Sequence, residues 1–232
     1  MNAAALFSPS EAIVPLFSND PDSGPGRVRF EGTAFFARFR GELYLLTADH
    51  NLERAEKGLQ IRLMSAQAIA HPCDVVSRDT PHDIAVLVCP TYRPADSVKI
   101  DETAPIHPNW PITCFEYGPT TNRGQVIDLG AATRTGNVTR IANFRDSFGP
   151  AGDAMLELSF PALKGASGAP VMAGAQILWG IVSKNWSYEL IPTQIEEVHR
   201  PDGRVDERTL FMMPQALAVS VRHVIALLTM LT

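Results

Sequence analysis

The apolar residues of this chain of 232 residues lie in short segments, which glycines, prolines and other turn-forming residues separate as far as about position 212. Several segments alternate apolar and polar residues, as in Val28-Arg29-Phe30 and Ala37-Arg38-Phe39-Arg40, and this is the period of a half-buried β-strand. Proline occurs 18 times in 232 residues, a share of about 8% compared with the usual share of about 5%. Many short strands bounded by turns favour a β-sandwich or a β-barrel.

Two later stretches differ from this pattern. Ile100–Pro111 contains three prolines, which predict a stiff connector and a domain boundary. From Pro214 onward, apolar residues recur at steps of three and four, which predicts an amphipathic helix that packs against the strands. The sequence therefore predicts an N-terminal unit over 1–104, a C-terminal unit over 105–213 and a helix over 214–232.

Charge and hydropathy exclude several classes of partner. The chain has 20 basic and 25 acidic side chains, a net charge of −5, and no dense basic run, so nucleic acid is not an expected partner. The N-terminus has no basic region typical of a signal peptide, and the longest apolar run, near His223–Leu231, is shorter than the ~20 residues that span a bilayer. We expect a cytoplasmic protein without a membrane partner.

The three cysteines, Cys73, Cys89 and Cys114, are odd in number and widely spaced. They therefore predict neither a disulfide framework nor a metal site of the C-x-x-C type. Buried, reduced thiols are the expected state, which agrees with a reducing compartment. We expect no metal and no other cofactor.

The segment most informative about chemistry runs from Lys164 to Pro170 and places Ser167 between glycines. A serine on such a tight turn can expose its hydroxyl, and the backbone N–H groups of Gly165 and Ser167 can point to one small volume and hold a developing oxyanion. Because serine is a weak nucleophile, this interpretation requires a histidine as base and an acid that orients it.

Among six histidines, His50 has the most suggestive position, because it follows the apolar strand Tyr44–Thr47 at the start of a polar turn. Asp83 directly precedes another apolar run, Ile84–Val88, where a carboxylate can be partly buried and fixed. The candidates then follow the chain order His50, Asp83, Ser167.

Four segments in this order resemble the signature blocks of the chymotrypsin/trypsin-like serine peptidases, and of their bacterial intracellular branch in particular. They are GTAFFARFRGELYLLTADH at 32–50, HDIAVLV at 82–88, KGASGAPV at 164–171 and GIVSKN at 180–185. The resemblance implies an all-β fold of two antiparallel six-stranded β-barrels with a C-terminal α-helix. The first barrel would carry His50 and Asp83, and the second would carry Ser167.

The resemblance also implies a role for each matched residue. His50 would be the general base and then the general acid, Asp83 would orient it, and Ser167 would form an acyl-enzyme. Gly165 and Ser167 match the oxyanion hole. Ser183 matches a serine that supports the orienting aspartate, and the edge Ser183–Asn185, with Lys184 at its centre, matches the strand that pairs with the substrate backbone.

Two residues depart from the family pattern. Asp49 lies where the family usually has a small residue, and its carboxylate either raises the pKa of His50 or forms a surface contact, which is the expectation we favour. Ala166 replaces the aspartate that zymogen-type members pair with a new N-terminus. Activation by N-terminal insertion is therefore not expected here.

Substrate preference is only weakly encoded. Pro161, near the base of the expected primary pocket, replaces the acid of trypsin-type members and gives no support for cleavage after Arg or Lys. Lys164 and Lys184 are expected to be solvated lysines rather than determinants of preference, and Trp186 is the best candidate to line the pocket. The polar stretch Glu189–Arg208 either covers and gates the pocket or is a mobile insertion.

The leading prediction is a serine endopeptidase that acts on protein or peptide substrates, with a regulatory protein partner or the 189–208 loop as a possible gate. The first alternative is a catalytically silent trypsin-like domain that serves as a binding or scaffold module. A second is an esterase-type serine hydrolase. The α/β-hydrolase version of the latter requires G-x-S-x-G followed by a helix, whereas Gly165–Ala169 lacks the last glycine.

Overall fold

The computed structural model describes residues 9–20, 27–53, 58–63, 69–123, 126–143, 154–174, 176–186, 195–199, 205–209 and 215–232. Its helices are α1 (Pro9–Ala12) and α2 (Val221–Thr229). Its strands are β1 (Ile13–Asn19), β2 (Val28–Phe39), β3 (Glu42–Thr47), β4 (Gln60–Arg62), β5 (Ala70–Pro72), β6 (Asp74–Asp79), β7 (Ile84–Val88), β8 (Val98–Lys99), β9 (Pro111–Arg123), β10 (Val126–Asn143), β11 (Ala154–Leu158), β12 (Pro170–Ala173), β13 (Ile177–Trp186), β14 (Ile195–His199), β15 (Val205–Thr209) and β16 (Gln215–Ser220). In the described part of the chain, no helix is long and apolar enough to cross a bilayer.

The C-terminal half forms a closed barrel of six antiparallel strands. Its hydrogen-bonded order is β9-β10-β11-β16-β13-β12, and β12 pairs again with β9. Closure removes the unpaired edges of the sheet and surrounds a core of Cys114, Leu156, Trp179 and their neighbours. An all-β fold with a closed six-stranded barrel and a C-terminal helix is therefore confirmed.

The N-terminal half is a curled sheet in the order β5-β4-β1-β2-β3-β7-β6. Its end strands β5 and β6 are separated in the chain by Cys73 alone, and no ladder between described residues joins them. The predicted second closed barrel is thus not established by the strand pairing. The short strand β8 joins the halves, because it runs parallel to β2 on one side and to β13 on the other.

The middle of strand β2 is buried on both faces, which explains the continuous apolar run from Ala34 to Ala37. Ala34 and Phe36 lie in the core of the N-terminal sheet, whereas Phe35 and Ala37 face the second half. This central layer also contains Ile181 from the barrel and residues of α2. The layer packs the two halves together and brings the turns at their strand ends close to one another.

The C-terminal helix is shorter than predicted, since residues 215–220 form β16 and the helix begins at Val221. In β16, Ala216 and Ala218 face the barrel core while Leu217 and Val219 face the central layer. This strand completes the barrel between β11 and β13, so ladder pairing overrides the helical period. The domain limits 1–104, 105–213 and 214–232 stay predictions apart from this corrected helix start.

The connector and the polar stretch are only partly regular. Residues 100–110 contain no strand or helix, in agreement with the proline-rich connector. Within Glu189–Arg208, strands β14 and β15 form an antiparallel two-stranded ladder, and residues 189–194 and 200–204 lie outside the described residues.

Candidate active site

His50 and Asp83 are brought together by two neighbouring strands. His50 lies in a 3-10 turn, Asp49–Leu52, that follows β3, and Asp83 ends a second 3-10 turn that precedes β7. Because β3 and β7 are antiparallel neighbours, the end of one strand and the start of the other lie side by side. His50 and Asp83 therefore lie together in one site, although they are far apart in the chain.

Asp83 adopts a left-handed conformation, with φ 55° and ψ 46°, which aspartate tolerates better than most residues. Its carboxylate accepts hydrogen bonds from the His50 backbone N–H at 2.9 Å, from His50 Nδ1 at 2.9 Å and from Ser183 Oγ at 2.5 Å. With Nδ1 bonded to Asp83, Nε2 is the ring nitrogen of His50 left to accept a proton.

The two groups shift each other's titration. The hydrogen bond to Asp83 raises the pKa of His50 most; burial acts in the opposite direction, and the neighbouring carboxylates raise it further. Burial by itself raises the pKa of Asp83, but the bonds from His50 and Ser183 outweigh it and lower the pKa below its usual value. Asp83 is thus held as a carboxylate that favours a protonated, oriented imidazole.

Ser167 lies on a turn that requires glycine at two neighbouring positions. Gly165 has φ +94° and Gly168 has φ +85°, in the region that other residues rarely adopt. A Cβ on Gly165 would lie 2.5 Å from the Tyr117 carbonyl oxygen, and one on Gly168 would lie 2.1 Å from the Thr33 carbonyl oxygen. The turn therefore packs closely against the backbone of both halves of the molecule.

The backbone amides around Ser167 fall into two sets. The N–H groups of Ala166, Gly168 and Ala169 donate to the carbonyls of Leu163, Val182 and Ala166, respectively. The N–H groups of Gly165 and Ser167 have no acceptor among the described residues. Two donors on one turn are thus available to a ligand, as an oxyanion hole requires.

The Ser167 hydroxyl donates to the Ser183 carbonyl oxygen at 3.2 Å. Within the described residues, it makes no direct hydrogen bond with His50. Ser183 is the extra residue of a β-bulge in β13, between Val182 and Lys184. The bulge lets its side chain reach Asp83 while its carbonyl reaches Ser167, so Ser183 links the two halves of the site.

Thr33 and Asn51 also belong to this site, although no sequence pattern singled them out. The Thr33 hydroxyl donates to the Gly165 carbonyl at 2.7 Å and accepts from the Tyr117 N–H at 2.9 Å. The Ser167 carbonyl accepts from the Thr33 N–H at 3.0 Å and from Asn51 Nδ2 at 3.0 Å. These bonds fix the carbonyls of the serine turn.

The remaining residues predicted for the substrate edge lie along β13. Lys184 and Asn185 pair with Leu217 and Ala216 of β16 on one edge of the strand. The Asn185 side chain reaches the backbone of Ala162 on the segment that leads to Ser167.

Asp49 forms a contact of its own, as favoured from the sequence. Its side chain is 3% exposed and meets the Arg78 guanidinium through two bonds, at 2.5 and 3.0 Å. The contact is more buried than a surface pair. Asp49 also raises the pKa of His50, by less than Asp83 and Glu53 do.

Comparison with known proteins gives one family and one fold. The family model of a trypsin-like peptidase domain matches residues 32–181. No curated protein sequence matches the chain.

Three solved structures illustrate the fold. The apo protease domain of MamO from Magnetospirillum magneticum has a TM-score of 0.59 and 15% identity, with 94% of this chain and 95% of that chain covered. The HtrA-type protease AlgW with a decapeptide has a TM-score of 0.66 and 14% identity, with 95% and 64% covered. A serine endoprotease from Yersinia pestis has a TM-score of 0.61 and 17% identity, with 96% and 63% covered. The chain thus spans slightly less than two thirds of the last two.

Proposed function

The chain belongs to the trypsin-like peptidase family, and on that premise we propose that it is a serine endopeptidase that cleaves protein or peptide substrates through an acyl-enzyme. One observation carries the proposal. Asp83 accepts hydrogen bonds from both His50 and Ser183, and the Ser183 carbonyl in turn accepts the Ser167 hydroxyl. The residues needed for base, orientation and nucleophile therefore share one network.

In the proposed mechanism, substrate binding turns the Ser167 side chain toward His50. Strand β13 pairs at Ser183–Asn185 with an extended substrate, as strands do when they add to a sheet. A substrate N–H then takes the Ser183 carbonyl, which is occupied by the Ser167 hydroxyl in the unbound protein. The displaced hydroxyl rotates to His50 Nε2, its alternative acceptor.

His50 carries the proton through the chemical steps that follow. His50 Nε2 takes the Ser167 proton as Oγ bonds to the substrate carbonyl carbon, and the charge on the carbonyl oxygen is met by the Gly165 and Ser167 amides. His50 returns the proton to the leaving amine as the C–N bond breaks. A water molecule releases the acyl group by the same route, with Asp83 holding the imidazole throughout.

The proposal extends to architecture and setting. The curled N-terminal sheet would act as the second barrel, with the site in the cleft between the halves. The three cysteines are free and buried, which supports a reducing compartment such as the cytoplasm.

A regulatory partner, or the 189–208 stretch, would control access to the site. Unchanged cleavage and preference after deletion of 190–206 would contradict the gating role of this stretch.

A catalytically silent binding module is the second candidate. The observation that favours it is the Ser167 hydroxyl, which is bonded to Ser183 instead of His50. The esterase alternative of the α/β-hydrolase type has no such support, because the strand β12 follows Ser167 where that fold requires a helix.

Labelling with a fluorophosphonate separates the two candidates. An activated serine should react in the wild type and should lose the label in both Ser167→Ala and His50→Ala. Absence of labelling in the wild type, with a peptide substrate present or absent, would contradict the endopeptidase and favour the binding module. Thermal melting of each variant controls for misfolding.

A further inference from the structure

Cys73 and Cys89 face each other at the end of the β6–β7 hairpin that lies opposite its turn. The ladder of this hairpin pairs Asp74 with Val88, so Cys73, one residue earlier, and Cys89, one residue later, form the next facing pair. Facing residues of an antiparallel ladder have Cα atoms about 4.5–5.5 Å apart, within the range of about 4.4–6.8 Å that a disulfide spans. The two sulfurs are hydrogen-bonded to each other. We call this pair the hairpin dithiol.

Cys73 is held as the protonated member of the pair. Its backbone N–H donates to the Leu59 carbonyl at 2.9 Å, which fixes it between β4 and β7. Its thiol has the His71 carbonyl oxygen at 3.5 Å and the Cys89 sulfur as hydrogen-bond acceptors. The bond to Cys89 and burial both raise the pKa of Cys73, so this sulfur is the weaker nucleophile of the two.

Cys89 has the surroundings of a thiolate. Its sulfur receives hydrogen bonds from the Cys73 thiol, from the Thr91 hydroxyl and from the backbone amides of Thr91 and Tyr92, and together they lower its pKa to about 7. The turn that carries these donors is held by His71. The Nδ1 atom of His71 lies 3.3 Å from Thr91 Oγ1, and its ring packs against the Tyr92 ring with centroids 5.0 Å apart.

The hairpin dithiol lies close to the protein surface. Cys73 and Cys89 are 7% and 8% exposed, and each is next to an exposed proline, Pro72 and Pro90 respectively. Cys114, in contrast, is completely buried in the core of the barrel, where burial raises its pKa. A small oxidant therefore has a short path to the hairpin dithiol, and the third cysteine of the chain lies in a different core.

We infer that Cys73 and Cys89 form a redox-active dithiol, which a hydroperoxide oxidises to a disulfide. The Cys89 thiolate bonds to one peroxide oxygen as the O–O bond breaks; the sulfur gives two electrons to the peroxide and becomes a sulfenic acid, and the other oxygen leaves with a proton. The Cys73 sulfur then bonds to the Cys89 sulfur as the S–O bond breaks, and the hydroxyl leaves as water with the Cys73 proton. In a reducing compartment, cellular thiols return the disulfide to the dithiol. The inference does not depend on the proposed peptidase activity.

Oxidation of the reduced wild-type protein with hydrogen peroxide tests this inference. The remaining thiols are blocked with N-ethylmaleimide in denaturant, and trypsin then cuts after Arg78, between the two cysteines. Mass spectrometry should find the peptide of Cys73 joined to that of Cys89, with Cys114 still alkylated, and the rate of linkage should rise with pH around a midpoint of about 7. Absence of the joined peptides, or a disulfide that includes Cys114, would overturn the inference.

Variants assign the two roles. Cys73→Ser should stop at the sulfenic acid and give a dimedone adduct on Cys89, whereas Cys89→Ser should give no adduct on Cys73. Thr91→Val removes one donor at an exposed position and should move the midpoint of the oxidation rate to higher pH. Cys114→Ser is the matched control and should leave linkage unchanged. An adduct on Cys73 in Cys89→Ser that forms as fast as the one on Cys89 in Cys73→Ser would contradict the assigned roles.

Discussion

Replacing Thr33 with valine tests how the serine turn is held. The Thr33 side chain is completely buried, and its hydroxyl bonds the Gly165 carbonyl at 2.7 Å and the Tyr117 N–H at 2.9 Å. Valine has nearly the same shape but can make neither bond. The substitution therefore removes two contacts between the N-terminal sheet and the barrel without changing packing volume.

The expected magnitude follows from the two partners left behind. Each buried polar group without a partner costs about 1–3 kcal/mol. The Tyr117 amide belongs to β9 and cannot move away, whereas Gly165 is half-buried and can turn its carbonyl toward water. We expect the free energy of unfolding to fall by about 2 kcal/mol, which lowers the melting temperature of a chain of this size by about 4–8 °C.

The Thr33→Val substitution should reduce the reactivity of Ser167 more strongly than it reduces the stability of the protein. When the Gly165 carbonyl turns, the neighbouring amides move with it and no longer point to one volume. Loss of one oxyanion donor costs about 10²–10³ in turnover, so fluorophosphonate labelling of Thr33→Val should slow by a comparable factor. Thr33→Ser keeps the hydroxyl and should label close to the wild-type rate. A Thr33→Val protein with wild-type labelling and wild-type melting would refute the reasoning.

Three further predictions concern titration, ion pairing and thiol reactivity. The bond to Asp83 raises the pKa of His50, and because the neutral imidazole is the base, labelling should rise with pH around a midpoint above about 6.5; Asp83→Asn should lower both the rate and the midpoint. Arg78→Ala leaves the Asp49 carboxylate, 3% exposed, without its ion pair, and should lower the free energy of unfolding in urea by about 1–3 kcal/mol. A hydrogen bond from the Cys73 thiol is the main cause that lowers the pKa of Cys89 to about 7. Cys89 should therefore be the first cysteine that iodoacetamide alkylates, as measured by peptide mass spectrometry.

Each of these measurements has a contrary outcome. Arg40→Ala removes an ion pair with Glu102 whose side chains are 46% and 44% exposed, so its effect on unfolding should be near zero. Equal effects of Arg40→Ala and Arg78→Ala would contradict the cost assigned to the buried carboxylate. A labelling midpoint that Asp83→Asn leaves in place would contradict the His50 assignment. Simultaneous alkylation of all three cysteines would contradict a distinct Cys89 environment.

Local sequence was sufficient to select much of the site. His50 after a strand, Asp83 before one, and Ser167 on a glycine-rich turn are signals carried within a few residues each, because strand ends and tight turns have characteristic neighbours. The same applies to the short barrel strands β11 and β12. The helical pattern predicted from Pro214 onward is wrong over β16, because Leu217 lies one helical step of four before Val221 and yet belongs to a strand that is buried on both faces.

The amino-acid sequence alone determined the strand-rich architecture, the family, and the candidate residues His50, Asp83 and Ser167. Only the tertiary structure decided how they are connected. The bond from Ser183 to Asp83 spans 100 residues and the bond from Thr33 to Gly165 spans 132, so no local pattern encodes either. The geometry of the site depends on packing two halves of the molecule against each other, and that packing is a property of the whole fold.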